Sequence, residues 1–259
     1  MYDFDKVINR NIPGDLKYEK IAGIDDLLPM WVADMDFQSP KEVRDALVDV
    51  ATNSVFGYTG ADPEYYKIVA EWFKKRYDWE VEKSLIMPLP GVIEGLVCTM
   101  RAFTKPGDHV LIFQPVYGMF EKMIKQNDRV ATISELKNDN GRYVVDLEDA
   151  EKKIIEDDVK MLFWCSPHNP GGRVWMMEEL DAVAKLCTKH NVFIVSDEIH
   201  ADLVLYGKKH IPFAKVPGDY SKNLVVLTSP TKSFNLAGIQ AANLITFDKR
   251  VYKMIDHEL

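Results

Sequence analysis

From His109 onward, short apolar runs alternate with longer stretches in which apolar positions recur every three to four residues. The short runs predict buried strands at 109–113, 130–134, 160–164, 192–195, 223–227 and 243–247, and the longer stretches predict helices over about 118–125, 147–155 and 177–190. Such a repeat builds a mostly parallel sheet with helices on both faces, a three-layer α/β/α class. Upstream, 92–103 reads as an apolar helix. Asp62-Pro63 opens another, with a stripe of Ile68, Val69, Trp72, Phe73 and Tyr77. Ser39 is expected to cap a third, with Pro40 at its first position and Glu42 closing a capping box. Asp248 caps a last helix with the stripe Val251, Met254 and Ile255, whereas 1–37 has little periodicity and reads as an extended arm turning at Pro13-Gly14.

Composition adds exclusions. A chain of 259 residues, 47% hydrophobic and 28% charged, can bury a full core. A net charge of −8, with Lys and Arg scattered, argues against nucleic acid as a partner, and Lys74, Lys75 and Arg76, the densest run, read as the solvated end of a helix. Cys98, Cys165 and Cys187 are odd in number and far apart, so neither a disulfide framework nor a metal site follows. The start MYDFDKVINR lacks the apolar core of a signal peptide and no stretch approaches a membrane span, so no membrane partner and a cytoplasmic location are expected.

Three strand ends carry the candidate chemistry. The strand at 223–227 runs into TSPTKSFNLAG, which places Lys232 among Ser229, Thr231 and Ser233. A lysine there is either a solvated charge or an amine that works in its neutral form. The apolar runs ending near Cys165 and Val195 lead into SPHNPGG, with Asn169, and SDEIHAD, with Asp197. Ligands of open α/β sheets sit at the carboxyl ends of strands, so these three residues are candidates for one crevice. In PLPGVIEG the turn before the helix at 92 aims free N–H groups at one point, which suits a phosphate but also describes an ordinary turn.

The order NPGG, DEIH, SPTKSFN resembles the fold-type I pyridoxal-phosphate enzymes of the aminotransferase class I/II superfamily. PMWVADMDF (29–37), FGYTG (56–60) and SDEIHADL are most similar to its MalY/PatB group of cystathionine β-lyases and related carbon–sulfur lyases. The resemblance implies pyridoxal 5'-phosphate as cofactor and a PLP-dependent transferase-like large domain. Lys232 is then the amine that condenses with the cofactor aldehyde, and Asp197 the acid facing the pyridine nitrogen. Asn169 donates to the phenolate oxygen, and Tyr117 stacks on the ring. Gly91, Val92 and Ile93, with Ser229 and Thr231, hold the phosphate. His200 stands where aminotransferases of the family usually have a tyrosine. Trp31, Val32 and Ala33 line the substrate side, and Tyr58 reaches the phosphate of a partner subunit in a homodimer. Each has a plainer alternative: core packing for Tyr117, a satisfied structural histidine for His200, a strand-end cap for Asp197, a surface turn for Tyr58.

The expected organisation is an arm over 1–38, a cofactor-binding large domain over 39–247, and the start of an interdomain helix over 248–259. The chain is expected to be the front part of a longer enzyme whose C-terminal small domain, largely absent, carries the arginine for the substrate carboxylate. The activity the resemblance implies is β-elimination from cystathionine- or cysteine-type amino acids, giving thiol, pyruvate and ammonia. An aminotransferase, or a catalytically incomplete fragment with only a binding role, stays open.

Overall fold

The computed structural model describes residues 2–10, 12–19, 23–24 and 27–259; positions 1, 11, 20–22, 25 and 26 of the expected arm lie outside the described residues. The helices are α1 (Leu16–Glu19), α2 (Lys41–Asn53), α3 (Pro63–Tyr77), α4 (Val92–Phe103), α5 (Met119–Gln126), α6 (Leu147–Glu156), α7 (Met177–Lys189), α8 (Pro230–Ser233) and α9 (Lys249–Asp256). The strands are β1 (Ile86–Leu89), β2 (His109–Gln114), β3 (Val130–Glu135), β4 (Lys137–Asp139), β5 (Arg142–Val144), β6 (Met161–Cys165), β7 (Phe193–Asp197), β8 (Leu224–Thr228) and β9 (Ala242–Ile245). The chain divides into two units, Met1–Thr59 with Pro230–Ile239, and Gly60–Ser229 with Gln240–Leu259.

The larger unit is built on a seven-stranded sheet in the order β1-β9-β8-β7-β6-β2-β3. Strands β8, β7, β6, β2 and β3 are parallel, and β9 runs against both β8 and β1. Two reversals cancel, so β1 points the same way as β8. The pleat sorts apolar residues onto two faces. Leu111, Phe113, Leu162, Trp164, Ile194 and Val226 meet Ala150 and Ile154 of α6 and Leu180, Val183 and Ala184 of α7. Ile112, Phe163, Val195, Val225 and Leu227 meet Leu96 and Met100 of α4, Phe120 and Ile124 of α5, and Val251 and Ile255 of α9. Because both faces are covered, the strands read as unbroken apolar runs. The three-layer α/β/α expectation is met. Burying each large side chain stabilises by about 1.5–3 kcal/mol, which makes these two layers the chief source of cohesion. At Gly95 a Cβ would come within 2.5 Å of Leu227 Cδ2 and 2.9 Å of Leu89 Cδ1, so glycine lets α4 lie close on the sheet.

Two local expectations need correction. Ser39 does not cap α2: Pro40 is the N-cap residue, no side chain bonds there, and the Ser39 hydroxyl donates instead to the Asn235 carbonyl at 2.8 Å. Glu42 accepts from the Tyr2 hydroxyl at 2.5 Å rather than folding back into a capping box. In α3, Asp62 caps as expected, accepting from Tyr65 N, but Ile68 is exposed and the buried stripe is carried by Phe73 with Val69 and Tyr77 beside it.

Candidate active site

In the larger unit, six strands, β1 and the five parallel ones, deliver their carboxyl ends to one edge of the sheet. Register places Cys165 of β6 beside Asp197 of β7 and Asp197 beside Leu227 of β8. In β2, Ile112 pairs with Phe163, so Gln114 ends level with Cys165, and Pro115-Val116-Tyr117 leaves from there. Strand β1 ends at Leu89 on the same edge, one position beyond the row Pro88–Asn243–Thr228, and Gly91 follows. The topology thus brings Gly91, Tyr117, Asn169 and Asp197 to a single rim.

Pleating also separates the two adjacent acids. Asp197 follows Phe193 and Val195 onto the face of α4 and α5, whereas Glu198 falls on the other. Asp197 is only 5% exposed, and its Oδ1 accepts the Ile199 amide at 3.1 Å. Its charge reaches neighbours on that face: burial and then Asp197 raise the Cys165 thiol, and burial and then Asp197 raise the Tyr117 phenol. Glu198, fully enclosed, accepts from Ser196 Oγ (2.9 Å), the Phe213 amide (2.8 Å) and the His210 ring (2.7 Å). Three bonds make Glu198 a knot that fixes the strand end from behind.

The loops at this rim are anchored. Asn169 is half-buried, its amide donating to Cys165 Sγ at 3.3 Å. His168, buried beside it, accepts from the Gly171 amide at 3.2 Å and packs edge-on against Trp175. Burial pushes its pKa down to about 4, which keeps the ring neutral. The Arg173 guanidinium lies over Trp175 at 3.9 Å and pairs with Glu179 and the Tyr143 carbonyl, pinning the far side of the turn. Helix α4 starts at Gly91 with no side-chain cap, and a Cβ at Gly91 would meet nothing within 4 Å. Its first-turn N–H groups thus have no side-chain acceptor at the cap, which fits an anion such as a phosphate. His200 is half-buried in the turn after Asp197. The Ser229 hydroxyl donates to the Ala241 carbonyl at 2.6 Å.

In the smaller unit the center is Lys232. Its Nζ donates to the Ala33 carbonyl at 2.8 Å, while the Trp31 indole donates to the Lys17 carbonyl at 3.2 Å and Val32 O accepts from Asp34 N. Thr231 is buried beside the lysine in α8. Asn235 straps the two segments, accepting from Met35 N (3.0 Å) and donating to Met35 O (2.9 Å) and Phe37 O (2.8 Å). Tyr58 is fully exposed in an exposed loop, with Val55 and Phe56 exposed beside it. Asn235, His168 and Glu198 lie inside SPTKSFN, SPHNPGG and SDEIHAD, yet nothing in those motifs marks their roles, since Asn235 bonds Met35 and Phe37, and Glu198 bonds His210 and the Phe213 amide, partners that leave no periodic signal.

Residues 25–256 match the protein-family model described as aminotransferase class I and II. The chain belongs to that family. Within it, this class I/II chain groups with the carbon–sulfur lyases of the PatB/MalY kind. It is 40% identical over 250 residues to cystathionine beta-lyase PatB of Bacillus subtilis, covering 95% of this chain and 65% of that protein. It is 32% identical over 247 residues to protein MalY of Escherichia coli, covering 93% of this chain and 62% of that one. The chain thus spans a little under two thirds of the length of these relatives. Cystalysin of Treponema denticola, whose crystal structure contains a pyridoxal 5'-phosphate cofactor, superposes with a TM-score of 0.94 at 35% identity, over all of this chain and 67% of that one.

Proposed function

We propose that the protein is a pyridoxal-phosphate-dependent carbon–sulfur β-lyase that releases thiol, pyruvate and ammonia from cystathionine- or cysteine-type amino acids. The observation that carries this reading is the gathering of Gly91, Tyr117, Asn169 and Asp197 at one sheet rim, in a chain 40% identical to a cystathionine β-lyase. When bound, pyridoxal phosphate supplies an aldehyde for amines and a ring that accepts the electron pair left at the substrate Cα.

The chain's own groups take the remaining work. First-turn N–H groups of α4 and the Thr231 hydroxyl would bind the phosphate, joined by Ser229 only once its hydroxyl turns away from the Ala241 carbonyl. Asn169 would donate to the ring oxygen, Tyr117 would stack on the ring, and an ionised Asp197 would keep the proton on the ring nitrogen so that the ring accepts electrons. Lys232 would be the amine that holds the aldehyde and, once freed, the base that takes the Cα proton. Backbone N–H groups around Trp31, Val32 and Ala33 would receive the substrate carboxylate, and His200 would assist at the ring oxygen in place of a tyrosine.

A homodimer belongs to this reading. No residue of α2 is buried, and Leu47, Val48 and Val50 stand exposed ahead of Val55, Phe56 and Tyr58, an apolar seat for a second copy into whose site Tyr58 would extend. Three free, buried cysteines suit a reducing cytoplasm.

The test is incubation of the protein, loaded with pyridoxal phosphate, with cystathionine and no added keto acid. Steady pyruvate release is expected. Amino transfer to an added keto acid with no pyruvate would make it an aminotransferase instead, and neither activity would leave a binding role.

A further inference from the structure

The segment that meets Lys232 is gripped from the far side by charge. Arg10 splays its guanidinium over three carboxylates: Nε and Nη2 to Asp15 (2.8 and 3.2 Å), Nη1 and Nη2 to Asp34 (2.9 and 2.8 Å), and Nη1 to Asp36 (2.9 Å) and the Met35 carbonyl (3.3 Å). Lys17, only 4% exposed, adds bonds to Asp36 (2.9 Å) and Asp34 (3.2 Å) and a long one to the Asp34 carbonyl (3.4 Å). Asp34 therefore receives both cations. Its carboxyl is held below the usual range by Arg10 first, against the opposing pull of burial, and then by Lys17. Asp34 is also the residue directly after Ala33, whose carbonyl accepts the Lys232 amine.

We propose that Arg10 and Lys17 are positioning residues for Lys232: by gripping Asp34 and Asp36 they fix the Ala33 carbonyl as the acceptor that aims the Lys232 amine. The proposal rests on the reading of Lys232 as the reactive amine. A lysine side chain turns about four bonds, and the Ala33 carbonyl can help direct its nitrogen only if that carbonyl is itself immobile. Asn235 supplies one restraint, through Met35 and Phe37; the ion cluster supplies the other, on the residue next to the acceptor. A bidentate guanidinium sets direction as well as distance. A simple wrapping role for the arm would need apolar cover. The arm's aromatic contact, Phe4 on Phe37 at 5.1 Å, falls beyond Asp36, and at Asp34 itself the hold is made by charge, with Arg10 and Lys17 meeting Asp15, Asp34 and Asp36.

The experiment compares wild type, Arg10→Ala, Arg10→Lys and Asp34→Asn. Condensation of pyridoxal phosphate with Lys232 is followed by absorbance and by borohydride reduction with mapping of the labelled peptide; kcat and KM on cystathionine are measured alongside. Arg10→Ala is expected to slow condensation and lower kcat by about tenfold, with KM changed by less than about twofold, as for a misplaced rather than missing group. Arg10→Lys, which keeps the charge without the fork, recovers only part of this. If Arg10→Ala does not fold, Asp34→Asn, equal in shape and lacking the charge, carries the same expectation. Unchanged condensation and kcat in the folded variants overturn the clamp while Lys232 is still labelled in wild type. Label that fails to reach Lys232 in wild type overturns instead the assignment of the amine, and the clamp with it.

Discussion

The sheet unit and the unit carrying Lys232 are made of opposite materials. In the first, two apolar layers enclose the strands and the candidate ring-side residues project from their ends. In the second, α2 has no buried residue, and Arg10, Lys17, Asn235 and their carboxylate and carbonyl partners do the holding. Apolar burial is strong and indifferent to direction; charge-assisted bonds add less net stability but fix geometry. The difference teaches where to look for each kind of mutant: stability defects in the sheet, defects of aim in the arm.

The largest effect tests the arm-side unit. Lys232→Ala is expected to lower the proposed lyase activity by at least about a thousandfold, because in that reading nucleophile and base are one group, while thermal unfolding changes little. Borohydride reduction with pyridoxal phosphate should then leave the protein unlabelled. A variant still labelled at the wild-type level would move the reactive amine elsewhere.

The matching break in the sheet unit is Trp164→Ala. Trp164 is fully buried, with Phe113, Trp175 and Phe213 around it at ring-centroid distances of 5.6, 4.6 and 6.3 Å. Its removal should cost about 3–5 kcal/mol in denaturant unfolding. Trp164→Phe should cost much less than its lost volume suggests, since the indole N–H finds no hydrogen-bond partner among the described residues.

Acid separates the units by a different route. His168 has a folded pKa near 4 through burial, against 6.5 when exposed. As pH falls below about 6.5 the unfolded chain takes up a proton that the folded one refuses, so stability declines until about pH 4, by on the order of 3 kcal/mol, and is unaffected above 6.5. Asp34 behaves otherwise: its carboxyl is depressed by Arg10, so its contribution persists above the ordinary carboxylate pKa and is lost only as pH drops through the lower folded value. Melting at pH 7 and pH 5 should therefore differ in wild type, and the difference should shrink in His168→Gln but persist in Asp34→Asn.

What the sequence made legible follows the same division. Helix 92–103 has the bounds of α4, and the strands at 109–113, 160–164 and 192–195 lie within one or two residues of β2, β6 and β7, because buried parallel strands write themselves as apolar runs. Strand β1 escaped because Pro88 interrupts it, which an edge strand tolerates. The hairpin of β4 and β5 escaped because its strands are short and mostly polar, although Asn140-Gly141, both at positive φ, is a hairpin turn signal. Asn169, Asp197 and Lys232 stood out as polar residues at strand ends. Arg10, Lys17 and Asn235 did not, since their meaning lies in partners far along the chain, at separations of 24, 19 and 200 residues for Asp34, Asp36 and Met35.

A change in packing distance comes next. Gly95→Ala places a methyl against Leu227 and Leu89 at the underside of the candidate phosphate turn, and should cost about 1–3 kcal/mol as the two leucines shift. The same substitution should weaken pyridoxal phosphate binding if α4 is pushed from the sheet; intact affinity would mean that the leucines alone yield.

The smallest effect discriminates between two residues that look alike in the sequence. Asp62 and Ser39 each precede a proline and a helix, and each reads as a cap. Only Asp62 caps, through Tyr65 N, and Asp62→Ala should cost about 1 kcal/mol in unfolding. Ser39 bonds the Asn235 carbonyl, and Asn235 is the strap between the Lys232 turn and the Ala33 segment. Ser39→Ala should therefore spare helix content, cost less than about 1 kcal/mol, and appear instead as slower labelling of Lys232 by pyridoxal phosphate. Loss of helicity at α2 without any change in labelling would restore Ser39 to the role of cap and detach it from the lysine.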